Sequence, residues 1–417
     1  MDEKLEMFCD NALWGKTIQH LIDKGVRPSE LSQFTDAEFR TKLIMVIANG
    51  QYHVAPPHVT LIPKDKPGEF RKVYVNTVMD RLVLSLINEV YTTMYGHMFH
   101  EHCVSYRKGI GVKNIIGNIT AELQKNSMGY KIDISKYFDS VSREKMNEAL
   151  AEVSTGSCLD QILYDYYNDD LIFDENRQLQ RKYKSLCQGC APSAFFANIL
   201  LRDVDDALSK ICEVYYRYSD DILLIGRRAD ETLALLKEML ASKGLSINPK
   251  KIERVSSSEW FTFLGCKIKG KNVSLSKKSL DNFIDQIERR LKGKAIKSIN
   301  NYLYTDYMNN SEAFGWAEYF FGIINCEEDI VQLDIWLKDM IRGYMTGKGG
   351  RKYVGGLGSV DTEEYKTIMR GKGRCVKRNL EKTKGLLKEH GYVSMHHLYK
   401  CYRLNPALYR SEVYRLM

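Results

Sequence analysis

The order of the predicted elements indicates an α+β fold in which a small antiparallel sheet is backed by helices. The middle of the chain, about 130–275, alternates a strand, two helices, a hairpin, a helix and a second hairpin. With 417 residues, 44% of them hydrophobic, the chain can bury the cores of more than one domain. It contains no run of eighteen apolar residues, so no transmembrane helix is expected.

The N-terminal part is predicted to begin with helices and to end in a hairpin. Apolar residues recur at helical spacing over 36–47, and an amphipathic helix is predicted over 80–94. The segment 62–75 is typical of two short strands around a Pro-Gly turn. Lys64 and Arg71 lie beside this turn, so the hairpin could bind a triphosphate. An ordinary solvated hairpin tip is the alternative.

Three aspartates stand in or beside short apolar strands. Asp220 and Asp221 occupy the polar tip of a predicted hairpin, and Asp133 lies inside the apolar strand 130–134. Such carboxylates are costly to bury without compensation, and hard divalent cations compensate them well. Together the three acids are the ligands that a pair of Mg²⁺ ions requires. The alternatives are a solvated turn for the pair and a helix cap for Asp133.

A tight loop and a series of further elements surround the predicted Asp-Asp hairpin. Gln188 and Gly189 precede a predicted helix over 194–208 and would let backbone and a side-chain amide approach a flat ligand closely. A simple helix-entry turn is the alternative. The elements predicted next are a helix over 229–241, a loop over 245–251, and a strand over 261–268 that pairs with 272–275.

The C-terminal part combines aromatic helices with a basic tail. From Lys348 onward there are 16 Lys/Arg against 6 Asp/Glu, while the whole chain carries a net charge of +8. This excess favours a polyanionic partner, and a merely soluble basic surface is the alternative. The tail tyrosines could stack on bases or pack within a small helical domain. Helices are predicted over 277–293, 302–324 and 328–345, with mostly buried aromatics, and a glycine-rich linker over 347–358.

The ten cysteines are scattered and suggest no disulfide framework, and the opening residues are not those of a secretion signal. A cytoplasmic protein is therefore expected. Cys187 and Cys190 have no second pair nearby, so no zinc site is predicted.

In their order, the motifs resemble those of bacterial reverse transcriptases of the group II intron, retron and defence-associated lineages. The resemblance implies a right-hand polymerase fold. Its parts would be N-terminal helices and fingers (1–125), a palm (126–270, with part of the fingers at about 150–190), a helical thumb (271–345) and a basic C-terminal RNA-binding extension (346–417). The passages that carry it are 62–71 with 80–81, 105–107, 133–139, 188–193 with Asn198, 218–221, 244–251, 263–265 and 315–320.

The resemblance also implies the chemistry. The enzyme would copy an RNA template into DNA from dNTPs, with two Mg²⁺ ions, or Mn²⁺, held by Asp133, Asp220, Asp221 and the backbone carbonyl of Ile134. Phe138 stands where the family places the residue that excludes a ribose 2′-hydroxyl. The implied sites are nucleotide binding by Lys64, Arg71, Phe138, Gln188 and Lys251, a primer grip at Phe263, Leu264 and Gly265, and RNA binding by Arg107, Lys372, Arg374, Lys377 and Arg378.

Three other functions remain open at this stage: a group II intron maturase, an RNA-dependent RNA polymerase, and an RNA-binding factor that does not polymerise. Phe138 argues against the RNA polymerase, and the complete acidic triad argues against the non-catalytic factor. No Cys/His-rich endonuclease module follows the motifs. This favours a free-standing enzyme of antiphage defence whose tail holds a structured non-coding RNA. The sequence predicts neither the primer nor the oligomeric state.

Overall fold

The computed structural model describes residues 2–64, 68–107, 109–184, 186–292, 296–305, 307–309, 312–345, 387 and 391–415. The chain divides into two compact units, one formed by 1–109 with 129–254 and the other by 110–128 with 255–417. The four-part division predicted above stays a prediction. Within the described residues, no helix combines the length and apolar content that crossing a bilayer requires, and the cysteines form no disulfide.

The first unit opens with short helices, as predicted. The side chains of Asp2, Asp10 and Asp36 each accept a hydrogen bond from a backbone amide in the first turn of a helix. These N-caps satisfy amides that would otherwise lack partners, which explains why helices begin at those points. The helices are α1 Glu3–Phe8, α2 Asn11–Asp23, α3 Pro28–Leu31 and α4 Ala37–Ala48.

Two four-stranded sheets follow, of order β2-β1-β4-β5 and β6-β7-β3-β8. The predicted hairpin at 62–75 is confirmed as the antiparallel pair β1–β2, in which Ile62 is opposite Arg71. The strands are β1 His58–Pro63, β2 Phe70–Val75, β3 Met128–Asp133, β4 Leu171–Phe173, β5 Leu179–Arg181, β6 Val214–Tyr218, β7 Asp221–Ile225 and β8 Glu253–Ser256.

The predicted helix over 194–208 is two helices rather than one. It begins earlier, at Ala191, because Pro192 lies in the first turn, where a missing amide costs nothing. A break at Leu201 starts the second helix. The helices after α4 are α5 Val78–Tyr95, α6 Val112–Glu122, α7 Tyr137–Ser140, α8 Arg143–Val153, α9 Cys158–Asn168, α10 Ala191–Ile199, α11 Arg202–Leu208 and α12 Ala229–Ser242.

In the second unit the predicted single strand over 261–268 is wrong. The segment is a hairpin of β9 Phe261–Phe263 and β10 Cys266–Lys269, and β10 pairs with β11 Asn272–Leu275 as predicted. The turn consists of Leu264 and Gly265, with φ of +47° and +76°. Two successive left-handed residues match the twist of a two-residue hairpin, but a leucine gives no sequence signal for that conformation.

The predicted helix over 302–324 is also wrong, because a hairpin interrupts it. Gly315, in extended backbone, passes so close to α14 that a Cβ on it would lie 2.2 Å from the Leu303 carbonyl oxygen. The remaining elements are α13 Lys277–Lys292, α14 Ile296–Tyr304, β12 Tyr307–Asn309, β13 Glu312–Phe314, α15 Trp316–Phe321, α16 Glu327–Met345, α17 Met395–Leu404 and α18 Pro406–Tyr414.

The described part of the tail belongs to the core of the second unit. Tyr392, Tyr399 and Tyr409 are buried in the same cluster as Trp316 and Phe321. These three tyrosines therefore pack within a helical core, which was the alternative to base stacking. The linker over 347–358 and the predicted RNA-binding residues Lys372, Arg374, Lys377 and Arg378 lie outside the described residues.

Candidate active site

The site is built around the turn between β6 and β7, which confirms the predicted hairpin. Tyr218 is opposite Asp221, so Ser219 and Asp220 form a two-residue turn in which Ser219 has a φ of +59°. The strands behind the turn are buried, which holds the hairpin firmly in the sheet. Asp220 and Asp221 are only half-buried, and so their carboxylates stand at the accessible end of the sheet.

Strand β3 brings the third acid to the same place. Asp133 pairs directly with Asp221 in the antiparallel register of β3 and β7. Residues opposed in this way have Cα atoms about 4.5–5.5 Å apart. The amide of Ile134 donates to the Asp220 carbonyl oxygen over 3.0 Å, which ties the end of β3 to the turn. The sheet thus gathers the three predicted acids into one cluster.

Electrostatics within the cluster disfavours the charged carboxylates. Burial raises the pKa of Asp220, and the nearby charge of Asp133 raises it further, while Lys251 and Arg71 oppose both effects. Burial also raises the pKa of Asp221, followed by the charge of Asp220. Acids in this position would be stabilised in their charged form by an added cation.

Lys251 is the cation closest to the cluster. Its Nζ lies 2.6 Å from Asp133 Oδ2. Burial lowers the pKa of Lys251, but the bond to Asp133 and the charges of all three acids outweigh it, so the pKa is raised. The loop that carries the lysine is fixed to β3, because the amide of Asn248 donates to the Asp133 carbonyl oxygen over 3.0 Å.

The donor set fits a hard divalent ion in its chemistry, since it consists of carboxylate oxygens. Within the described residues, however, no three His, Cys, Asp or Glu side chains are arranged to hold a metal ion. One of the three carboxylates, that of Asp133, is bonded to the Lys251 ammonium. The residues thus fit metal ions in the chemistry of their donor atoms.

Of the two predicted phosphate-binding cations, the structure brings Arg71 toward the acids. Arg71 is exposed on β2, and its charge reaches Asp220 strongly enough to oppose the rise in that pKa. Lys64 is exposed at the other side of the hairpin, where its amide donates to the Glu69 carbonyl oxygen over 2.8 Å. A phosphate-binding role for either residue stays a prediction.

Phe138 and Gln188 are fixed by backbone bonds. Phe138 lies half-buried on α7, and its carbonyl accepts from the Leu186 amide over 3.1 Å. The Gln188 carbonyl accepts from the Tyr74 amide over 2.7 Å. Gly189, with a φ of +100°, packs on β2 so closely that a Cβ would lie 2.6 Å from Val73 Cγ1. The space that a side chain at Gly189 would need is therefore filled by strand β2 of the protein itself.

The structure also shows the contacts of the predicted RNA-binding residue Arg107 and the position of the predicted primer grip. Arg107 Nη1 donates to the carbonyl oxygens of His100 and Cys103, at 2.8 and 3.1 Å. Phe263 is buried in the second unit, next to the turn formed by Leu264 and Gly265. RNA binding by the arginine and primer binding by the turn stay predictions.

An ion pair that was not predicted from the sequence lies behind the turn. Arg217 is fully buried in β6, and its Nη2 lies 2.6 Å from Asp205 Oδ2 on α11. The available signal was an arginine inside an otherwise apolar strand, since a buried charge requires a partner.

Comparison with known proteins agrees with this geometry. A family model described as reverse transcriptase (RNA-dependent DNA polymerase) matches residues 62–268. That range contains the strands from β2 to β8 and all three predicted acids. A search of curated proteins found no match.

Solved telomerase structures are similar to the chain at low sequence identity. A truncated apo telomerase from Candida tropicalis is 19% identical, with a TM-score of 0.39, over 54% of this chain and 56% of that chain. A telomerase from Candida albicans with a fragment of telomeric RNA is 12% identical, with a TM-score of 0.43, over 75% and 59%. An apo telomerase from Candida tropicalis is 16% identical, with a TM-score of 0.42, over 70% and 55%.

The chain thus spans between half and two thirds of the length of these telomerase chains. Reverse transcriptases generally use divalent metal ions, which agrees with the oxygen donors gathered at the turn. Residues 62–268 match the reverse transcriptase family model, and this match supports a nucleotidyltransferase activity of the RNA-directed DNA polymerase class.

Proposed function

We propose that the protein copies an RNA template, a structured non-coding RNA in antiphage defence, into DNA at Asp133, Asp220 and Asp221. The observation that carries the proposal is the register of the catalytic sheet, in which Asp133 is opposite Asp221 and Ile134 is bonded to Asp220. The basic excess of the tail supports an RNA partner. The defence role is supported by the resemblance in the motifs.

The three carboxylates and the Ile134 carbonyl would hold two Mg²⁺ ions, which when bound lower the pKa of the primer 3′-hydroxyl and neutralise the leaving pyrophosphate. The protein's own contribution is to hold this cluster in one geometry. Strand β3 and the turn supply the acids, and the loop after α12 supplies Lys251. Lys251, whose ammonium lies 2.6 Å from Asp133 Oδ2, would be the residue that donates a proton to the leaving pyrophosphate.

Phe138 would select the sugar. It lies on α7, five residues past Asp133, and its carbonyl oxygen accepts a hydrogen bond from the Leu186 amide. An aromatic ring at this position leaves no room for a 2′-hydroxyl, which favours dNTPs over ribonucleotides. Arg71, whose charge already reaches Asp220, would neutralise the triphosphate.

The test is DNA synthesis by the purified protein with an RNA template, an annealed DNA primer, Mg²⁺ and labelled dNTPs. We expect a DNase-sensitive product that the double variant Asp220→Asn, Asp221→Asn does not make. Asp23→Asn is the matched control, because Asp23 is exposed on α2 and bonded to Gln19. DNA synthesis by the double variant at the wild-type rate would rule out the proposed site. An RNase-sensitive product from ribonucleotides would instead indicate an RNA polymerase.

The RNA partner is tested by sequencing the RNA that co-purifies with the protein. One enriched structured RNA, with DNA copies of part of it, supports the proposal. A random sample of cellular RNA would contradict the specific partner while leaving the polymerase activity untouched.

A further inference from the structure

A buried ion pair lies directly behind the turn that carries Asp220. The Arg217 guanidinium donates from Nε and Nη2 to the two carboxylate oxygens of Asp205, at 2.7 and 2.6 Å. The Tyr215 hydroxyl donates to the same carboxylate over 2.7 Å. Both charged side chains are at most 1% exposed, so they are shielded from water and fixed in a planar, two-bond geometry.

The third guanidinium nitrogen reaches the turn itself. Arg217 Nη1 donates to the Ser219 carbonyl oxygen and to Asn198 Oδ1, and both donor–acceptor distances are 3.3 Å. Ser219 immediately precedes Asp220 and adopts a left-handed conformation. A serine in that conformation is strained and persists only where its surroundings determine it. The bond from Arg217 is one such constraint, applied one residue from a predicted metal ligand.

The same network continues into the segment around Ser105. Asn198 on α10 donates from Nδ2 to the Ser105 carbonyl oxygen over 2.9 Å and accepts from the Ser105 hydroxyl over 3.1 Å. The next residue, Tyr106, is also left-handed, and its hydroxyl lies 3.4 Å from Ser219 Oγ. The turn is therefore held from inside by Arg217 and from outside by Tyr106.

We infer that Arg217 and Asp205 are positioning residues for DNA synthesis: they fix the Ser219 carbonyl, and with it the turn that presents Asp220. Through Asn198 the pair also fixes the Ser105–Tyr106 segment against that turn. This inference rests on the proposed roles of Asp220 and Asp221.

A role in stability alone explains the pair less well. Buried ion pairs often add little net stability, because removing two charges from water offsets their attraction. What the pair does provide is direction, since a planar guanidinium with a two-bond partner can point its third nitrogen at only one place. In this structure that place is the catalytic turn.

The first unit contains a matched control. Lys4 on α1 forms a buried ion pair with Asp160 on α9 and also bonds to the Val153 carbonyl oxygen. Lys4 is 1% exposed and Asp160 is 8% exposed, and Tyr91 donates to the same carboxylate. This pair resembles the one at the turn in burial and bonding, but its bonds join α1, α5, α8 and α9. Breaking it tests the effect of losing a buried pair as such.

The experiment compares Asp205→Asn with Asp160→Asn in the full-length protein. Both variants are expected to lose thermal stability. At a temperature where both remain folded, Asp205→Asn should lower kcat about 100-fold, the loss typical of a displacement of about 1 Å at reacting groups. It should also raise the Mg²⁺ concentration for half-maximal rate while leaving the KM for dNTP little changed. Asp160→Asn should keep both kcat and the Mg²⁺ dependence of the wild type.

Two results would overturn the inference: a wild-type kcat in folded Asp205→Asn, or an equal loss in Asp160→Asn. Asn198→Ala decides the matter if Asp205→Asn does not fold, because it breaks the link to Ser105 without leaving a charge unpaired. The kcat of Asn198→Ala should fall and the Mg²⁺ concentration for its half-maximal rate should rise. A kcat and a Mg²⁺ dependence that both equal those of the wild type would refute the inference. If the wild-type protein itself makes no DNA, the proposed function fails rather than the positioning role.

Discussion

Replacing Lys251 by methionine should strengthen metal binding and weaken catalysis at the same time. In the structure the Lys251 Nζ lies 2.6 Å from Asp133 Oδ2, so the ammonium would compete with an incoming metal ion for that oxygen. The lysine side chain is 57% exposed, which limits the pair to about 0.2–1 kcal/mol after screening by solvent. Removing this competition should therefore tighten metal binding by about 1.4- to 5-fold.

The catalytic effect has the opposite sign. Without an ammonium to donate to the leaving phosphate, kcat should fall by about 10²–10⁴-fold, the range typical of a lost general acid. Lys250→Met is the control, since that neighbouring lysine lies in the same turn, and its amide rather than its side chain is bonded to Asn248.

The assay is calorimetric titration of the protein with Mn²⁺ and Mg²⁺ in the absence of nucleotide, followed by single-turnover DNA synthesis. Weaker or equal metal binding in Lys251→Met would refute the competition between the ammonium and the metal. A kcat equal to that of Lys250→Met would refute the role in catalysis while leaving the metal result standing.

The other three predictions concern sugar selection, pH and packing. Phe138→Ala should admit ribonucleotides in primer extension, and unchanged sugar selection would contradict a steric role for this ring. Asp220→Asn should raise the Tm at neutral pH without divalent metal, because burial and Asp133 disfavour the charged form that the wild type must hold there. A raised pKa destabilises the folded wild type at pH values above it and has no such cost once the carboxyl is protonated, so the gain should disappear as the pH falls toward the ordinary carboxyl value of 3.8, and a gain that persists would contradict this origin. Gly315→Ala should destabilise the protein by about 1–3 kcal/mol or more in chemical denaturation, because the new Cβ would meet the Leu303 carbonyl oxygen at 2.2 Å. Gly117→Ala on α6, with no neighbour within 4 Å, should instead be neutral or stabilising.

The parts of the site predicted from the sequence depend on local patterns. Two apolar strands around a polar break were enough to predict the hairpin at 218–221, because alternation and turn composition are short-range signals. The isolated acid in an apolar strand singled out Asp133 in the same way. That the three acids meet in one cluster was predicted only from their shared need for divalent cations. Sequence patterns alone do not give the register that sets Asp133 opposite Asp221.

The parts that were missed depend on close approach between distant segments. Leu264 itself gives no indication of a left-handed conformation, so the sequence predicts one strand over 261–268 where the structure has a hairpin. Gly315 gave no sign that α14 passes within contact distance of its backbone. The bonds from Arg217 to Asp205, Asn198 and Ser219 are likewise tertiary, and an arginine in a strand cannot by itself reveal which groups it will meet.

The charges around the turn favour the binding of a cation there. The charge of Arg217 is balanced by its ion pair with Asp205, so this residue adds direction but little free positive charge. Lys251 and Arg71 oppose the rise in the pKa of Asp220, yet that pKa remains raised. The charged form of Asp220 is therefore disfavoured even beside these two cations. A divalent ion bound at the turn would relieve this repulsion, and the free energy that the fold gives up in holding three acids together would then become affinity for the metal.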